Sequence, residues 1–128
     1  MKINKLKLFF LMMTLFSFGT AAAQDNSQVV HIAKLQIDPA QLESYKAALK
    51  EHAETAVRVE PGVLTLYAVA EKDNPTHITV FEIYASVAAY QAHLQSPHFK
   101  KYKSTTKDMV KSLELVETVP IVLAAKQK

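Results

Sequence analysis

Residues 63–84 read VLTLYAVAEKDNPTHITVFEIY. Val63–Glu71 and His77–Tyr84 are rich in β-branched and aromatic residues, and Lys72–Pro75 between them is turn chemistry, so the stretch predicts two strands joined as a hairpin. Both strands carry apolar side chains on both parities: Leu64, Leu66, Ala68 and Ala70 against Val63, Tyr67 and Val69, then Ile78 and Val80 against Phe81 and Ile83. Alternate residues of a strand point to opposite faces. Neither face is therefore polar, and each needs a cover.

On the N-terminal side, Glu60-Pro61-Gly62 reads as a turn that ends a helix, since the residue before a proline is pushed out of the helical region. Leu42, Tyr45, Leu49, His52 or Ala53, and Ala56 recur at helical spacing, and Asp38, Pro39 and Gln41 make a helix start. VVHIAKLQI at 29–37 reads as the first strand. On the C-terminal side, Ser86 caps a second helix through Tyr90, His93 and Leu94. Ser96-Pro97 then restarts a helix whose apolar stripe is Phe99, Tyr102, Thr106, Met109, Val110 and Leu113. Residues 113–123 read as the last strand, with Pro120 marking an edge or a bulge. The order β-α-β-β-α-β predicts an α+β, ferredoxin-like fold: a four-stranded antiparallel sheet with the helices on one face. The other face stays apolar. The economical cover is a second copy, which predicts a homodimer with sheets packed face to face and closing toward a barrel.

The ends bound the rest. Lys2, Lys5 and Lys7 precede the apolar run Leu8–Phe18, and Ala21-Ala22-Ala23 follows with the small residues of a cleavage site. Residues 1–23 are thus expected to be a secretory signal, cleaved after Ala23, with a periplasmic or secreted product. The apolar run is shorter than the ~20 residues a span needs. Residues 24–28 are polar and expected to be disordered, and residues 29–124 form one domain. The chain has 15 Lys+Arg and 12 Asp+Glu. Without the three leader lysines it is balanced at 12 and 12, which argues against a nucleic-acid partner. There is no cysteine, so an exported domain depends on its core or on assembly rather than on disulfides.

Three segments, Glu60–Val69, Ile78–Phe99 and Leu113–Ile121, together resemble the antibiotic biosynthesis monooxygenase family, and within it the quinol monooxygenase-like subgroup. The carrying motifs are the E-P-G turn, the F-E-x-Y-x-S strand end and H-x-x-S-x-H-F across the helix junction. The resemblance implies a dimeric α/β-barrel and cofactor-independent oxygenation of a small aromatic or quinol substrate. The alternative it carries is a non-catalytic dimer of the same fold that binds a hydrophobic small molecule or haem. Haem-degrading relatives have a Trp at the strand end and a His ligand after the junction; here Tyr84 ends the strand, no Trp exists, and Tyr102 or Lys103 stands at the ligand position.

Such oxygenation asks of the protein an apolar pocket, a base and donors for the developing anion. His93 is the candidate base, because imidazole titrates near neutrality, and it stands three residues after Tyr90 on the same helix. Glu82 and Tyr84 share a strand face, where a carboxylate among apolar neighbours is either paired or raised in pKa. Tyr67, Tyr90, Phe81 and Phe99 are the expected substrate contacts, in a pocket between the sheet and the second helix. No cofactor is expected, and no metal: His93 and His98 are five apart across a helix break and lack the i, i+4 spacing of a one-face ligand pair. His98 itself reads as a surface or dimer-contact residue. His31 and His77 fall on strands expected to be neighbours, where they could meet. With two glycines in the chain there is no phosphate-cradling loop.

Overall fold

A computed structural model describes residues 27–128. The expected signal segment and most of the polar stretch after it lie outside the described residues. The elements are β1 (Val29–Ile37), a 3-10 turn (Pro39–Gln41), α1 (Leu42–Val59), β2 (Val63–Ala70), β3 (His77–Tyr84), α2 (Val87–Gln95), α3 (Pro97–Thr106) and β4 (Val110–Thr118). The four strands form one sheet in the order β2-β3-β1-β4, with every neighbouring pair antiparallel. This is the α+β ferredoxin-like arrangement, with the helices on one face.

Local chemistry explains the boundaries. Asp38 accepts a hydrogen bond from the Ala40 N–H (3.0 Å), but the first turn is tight, and α1 starts only at Leu42. α1 buries Tyr45, Leu49, His52 and Ala56 and stops at Glu60, which is extended ahead of Pro61. Ser96 does two jobs at the break between α2 and α3. Its hydroxyl donates to the His93 carbonyl (2.7 Å) and accepts from the Phe99 N–H (3.2 Å).

The last two elements differ from expectation. α3 ends at Thr106 instead of running to Leu113, and the last strand is Val110–Thr118 instead of residues 113–123. The Thr106 hydroxyl turns back onto the Tyr102 carbonyl, and the Met109 carbonyl accepts from Asp38 N–H, which ties the chain to the end of β1. From there Val110, Leu113 and Leu115 pair with Ile37, Leu35 and Ala33. Helical spacing and strand alternation overlap in these residues, and ladder pairing with β1 decides for the strand. β4 is an edge strand and Pro120 lies just past its end, where no ladder hydrogen bond is asked of it.

The strand registers sort side chains by face. His31, Ala33 and Leu35 of β1 stand opposite Glu82, Val80 and Ile78 of β3 on the helix side. Val30, Ile32 and Lys34 stand opposite Ile83, Phe81 and Thr79 on the open side, where Phe81 in turn pairs with Tyr67 of β2. Ala33, Leu35, Ile37, Tyr45, Leu49, Ile78 and Val80 make the main core between sheet and helices. His31 and His77 do not meet: the first pairs with Glu82 and the second with Gln36, near opposite ends of the ladder.

Candidate active site

A cavity of ≈ 130 Å³ opens between the sheet and the helices. Its sheet wall includes Ala33, Val80, Glu82 and Tyr84, and its helix wall Leu49 and His52 of α1, Tyr90 of α2, and Phe99 and Tyr102 of α3. Lys103 and the half-exposed Leu113 and Leu115 lie on the side toward β4.

Glu82 reaches this wall because β3 alternates: Ile78, Val80, Glu82 and Tyr84 all point to the helix side. Burial pushes its carboxyl up to about 7, against a smaller opposite effect of the Tyr84 hydroxyl. Among the described residues it has no ion pair. Burial, helped by the Glu82 charge, raises the Tyr84 phenol, so it stays a hydrogen-bond donor at neutral pH. Tyr90 is raised for the same two reasons. Tyr102 bonds its hydroxyl to that of Tyr45 (2.5 Å) and stacks on His52, with ring centroids 4.6 Å apart and planes 12° apart. Burial brings His52 down to about 4, with the nearby His93 and His98 acting the same way, so its imidazole is neutral at ordinary pH.

Behind Tyr84 lies a second polar group. His93 is 1% exposed, and its ring centroid is 5.3 Å from that of Tyr84. It is not among the cavity-lining residues. Instead its Nδ1 donates to Glu60 Oε2 (2.7 Å), and the same oxygen accepts from His98 Nε2 (2.6 Å). Burial would raise the Glu60 carboxyl, but the two histidine hydrogen bonds outweigh it and hold the group below its usual range.

The structure thus brings together Glu82, Tyr84, Tyr90 and Phe99 of the expected site. It sets His93 one layer back. Tyr67 and Phe81 are on the far side of the sheet, where Tyr67 is 70% exposed. Their odd parity on strands whose even residues line the cavity is the reason. His98 is no free surface residue either: it is held on Glu60. The sequence pattern marks His52 only as a helix-stripe position and Glu60 only as a turn residue. The available signal for Glu60 was its place ahead of Pro-Gly, where the topology brings the start of β2 beside the junction of α2 and α3.

Comparison with known proteins agrees with this architecture. The profile of the antibiotic biosynthesis monooxygenase family matches residues 28–105. A solved structure from Bacteroides thetaiotaomicron, named for that family, is 52% identical with a TM-score of 0.76, and the alignment covers 80% of this chain and 97% of that one. A Lactobacillus acidophilus protein named as a monooxygenase is 30% identical with a TM-score of 0.72, over 75% of this chain but 46% of its own length. A Nitrosomonas europaea protein at 22% identity and a TM-score of 0.69, over 73% and 90% of the two chains, shares the fold. No protein of curated function matches. The chain belongs to the antibiotic biosynthesis monooxygenase family.

Proposed function

We propose that the protein is a cofactor-independent monooxygenase of the quinol-oxidising kind, acting with O2 on a single-ring phenol or hydroquinone. The observation that carries the reading is Glu82, a half-buried carboxyl in the wall of an apolar cavity, with the phenols of Tyr84, Tyr90 and Tyr102 in the same wall. The volume, ≈ 130 Å³, suits one ring; an apolar cavity of about 150 Å³ takes up benzene.

Ionised Glu82 takes the proton of the substrate hydroxyl, and Tyr84 and Tyr90 donate to the developing oxyanion. The electron-rich anion reduces O2. One oxygen atom enters the ring, and the other leaves as water with the hydroxyl and ring hydrogens. The substrate, oxidised by four electrons, ends as a quinone. The electrons come from the substrate itself, and the protein supplies the base, the donors and an apolar enclosure. Of the two residues that stand where haem-degrading relatives carry their ligand, Lys103 is no histidine and Tyr102 is already bonded to Tyr45, which disfavours the haem-binding alternative.

The test is oxygen uptake by purified protein with a panel of phenols and hydroquinones. Uptake is expected to rise with pH about a midpoint near 7, the Glu82 value. Glu82→Gln is expected to lose about 10²-fold or more. Uptake no faster than autoxidation, or equal rates in Glu82→Gln, overturns the reading; binding without uptake would make this a small-molecule-binding member of the family. A midpoint lost in His93→Ala but kept in Glu82→Gln would return the base to His93.

The same reading includes a homodimer, because the open sheet face carries Tyr67 (70% exposed) and Val69 (64% exposed) beside Ile32, Phe81 and Ile83. It also includes export, supported by the charged and apolar pattern of residues 1–23. No helix of the described residues is long and apolar enough to cross a membrane.

A further inference from the structure

Glu60, His93 and His98 come from three places in the chain: the turn after α1, the last turn of α2 and the first turn of α3. Their donor atoms nevertheless lie within 4.8 Å of one another. The site is built on fixed backbone. Glu60 is held extended before Pro61, and the His93 carbonyl is bonded by the Ser96 hydroxyl, which also starts the helix that carries His98. His93 closes the inner side at 1% exposure, while the Glu60 and His98 side chains are 16% and 14% exposed, so one side reaches solvent.

Hydrogen bonding alone leaves this group under-satisfied. Both rings use one carboxylate oxygen, while His93 Nε2 is buried without a partner among the described residues. Buried polar atoms rarely stay unpaired, but that nitrogen faces away from Glu60 and an ion among the three side chains does not satisfy it; what points to an ion is the convergence of the three donor atoms.

We propose that Glu60, His93 and His98 bind a divalent first-row transition-metal ion of the Zn2+ type, at a site separate from the cavity. Two imidazoles and one carboxylate form a known three-protein-ligand set for zinc, with a further position left to water. The mixed nitrogen and oxygen donors favour such ions over Mg2+ or Ca2+, which take oxygen. The ion takes the place of the two hydrogen-bond protons. The Glu60 oxygen then stands back from both rings, since metal bonds of about 2.0–2.1 Å hold donor atoms roughly 3.3 Å from each other, farther than the 2.7 and 2.6 Å of the hydrogen bonds. A bound ion pins the turn between α1 and β2 to the junction of α2 and α3. It reaches the cavity wall through His52, Phe99 and Tyr84, whose ring centroids are 5.1, 5.2 and 5.3 Å from that of His93.

The test uses the mature chain stripped of metal. Titration with Co2+ is expected to give one equivalent per chain with visible absorption, displaced by Zn2+. In histidine-resolved NMR of the wild type, Zn2+ is expected to shift His93 and His98 and leave His77 in place. Glu60→Gln and His98→Asn are each expected to weaken binding at least tenfold. His77→Ala, which removes the other histidine beside a carboxylate (Glu71, 3.6 Å), is expected to change nothing. Absence of a Co2+ signal at millimolar metal, shifts confined to other histidines, or equal affinity in folded Glu60→Gln or His98→Asn each overturn the proposal. The wild-type spectrum decides even if the variants fail to fold.

Discussion

At Glu82 a carboxyl sits among apolar neighbours with no ion pair among the described residues, and the consequence is readable in stability as well as in rate. The unfolded chain loses this proton near 4.5 and the folded chain near 7. Between these values the folded state holds a proton that the unfolded state has released. The stabilising contribution is therefore present below about 4.5 and lost as pH rises through about 7. Glu82→Gln stays neutral, so it is expected to gain on the wild type across that window, by at most about 3 kcal/mol. Urea denaturation of both proteins at about pH 5 and pH 8 measures the difference; a constant difference would mean that the carboxyl is solvated. His52 has the opposite sign. Its value falls from 6.5 to about 4, so its contribution is present above 6.5 and lost as pH falls through about 4. His52→Phe is expected to gain on the wild type as the medium becomes more acidic.

At the scale of elements, two contacts hold α2 where the cavity needs it. Gly62, in the turn just before β2, lies against Ala89 of α2, and a Cβ there would overlap the Ala89 Cβ. Its φ is not positive, so the cost of Gly62→Ala is one of packing and not of backbone strain. It is expected to destabilise by about 1–3 kcal/mol, with part recovered by adding Ala89→Gly, as measured by denaturant midpoints. Ser96 joins α2 to α3 through both of its hydrogen bonds. Ser96→Ala is expected to cost about 1 kcal/mol. It should also loosen His98 from Glu60, which would appear as a changed His98 shift in NMR; an unchanged shift would mean that the junction is held by other contacts.

Across the whole molecule, the sheet has one face covered by helices and one face without a helix, where Val30 is buried, Ile32, Phe81 and Ile83 are partly exposed, and Tyr67 and Val69 stand out to solvent. Tyr67 and Phe81 pair on that face, with Ile32 and Ile83 on the strands alongside. Soluble monomers rarely leave such a surface to water. If a second copy covers it, Tyr67→Glu is expected to shift the protein from dimer to monomer in sedimentation equilibrium while leaving the helix-side core intact. A wild type that sediments as a monomer would sink the face-to-face dimer. Beyond β4, Val119, Ile121 and Val122 are also strongly exposed.

Local pattern along the chain is enough for the order of elements, three strand positions to within a residue, the break at Ser96 and the doubly apolar sheet. These depend on local steric preference and on a period of two or 3.6, both of which are written along the chain. It also placed Glu82 and Tyr84 on one face, because strand parity is local. It did not separate the end of α3 from the start of β4, where Met109, Val110 and Leu113 satisfy either period and only pairing with β1 chooses. Nor did it decide which face of the sheet holds the cavity. That choice sets Tyr67 and Phe81 apart from Tyr84 and Tyr90, and it depends on which side the helices cover. His93 has the chemistry of a base in the sequence, but the fold gives its Nδ1 to Glu60 and its face to Tyr84. Glu60 and His98 are 38 residues apart, and no local rule joins them. Only tertiary structure brings the turn after α1 against the junction of α2 and α3, because the distance between two side chains depends on how the elements pack and not on their spacing along the chain.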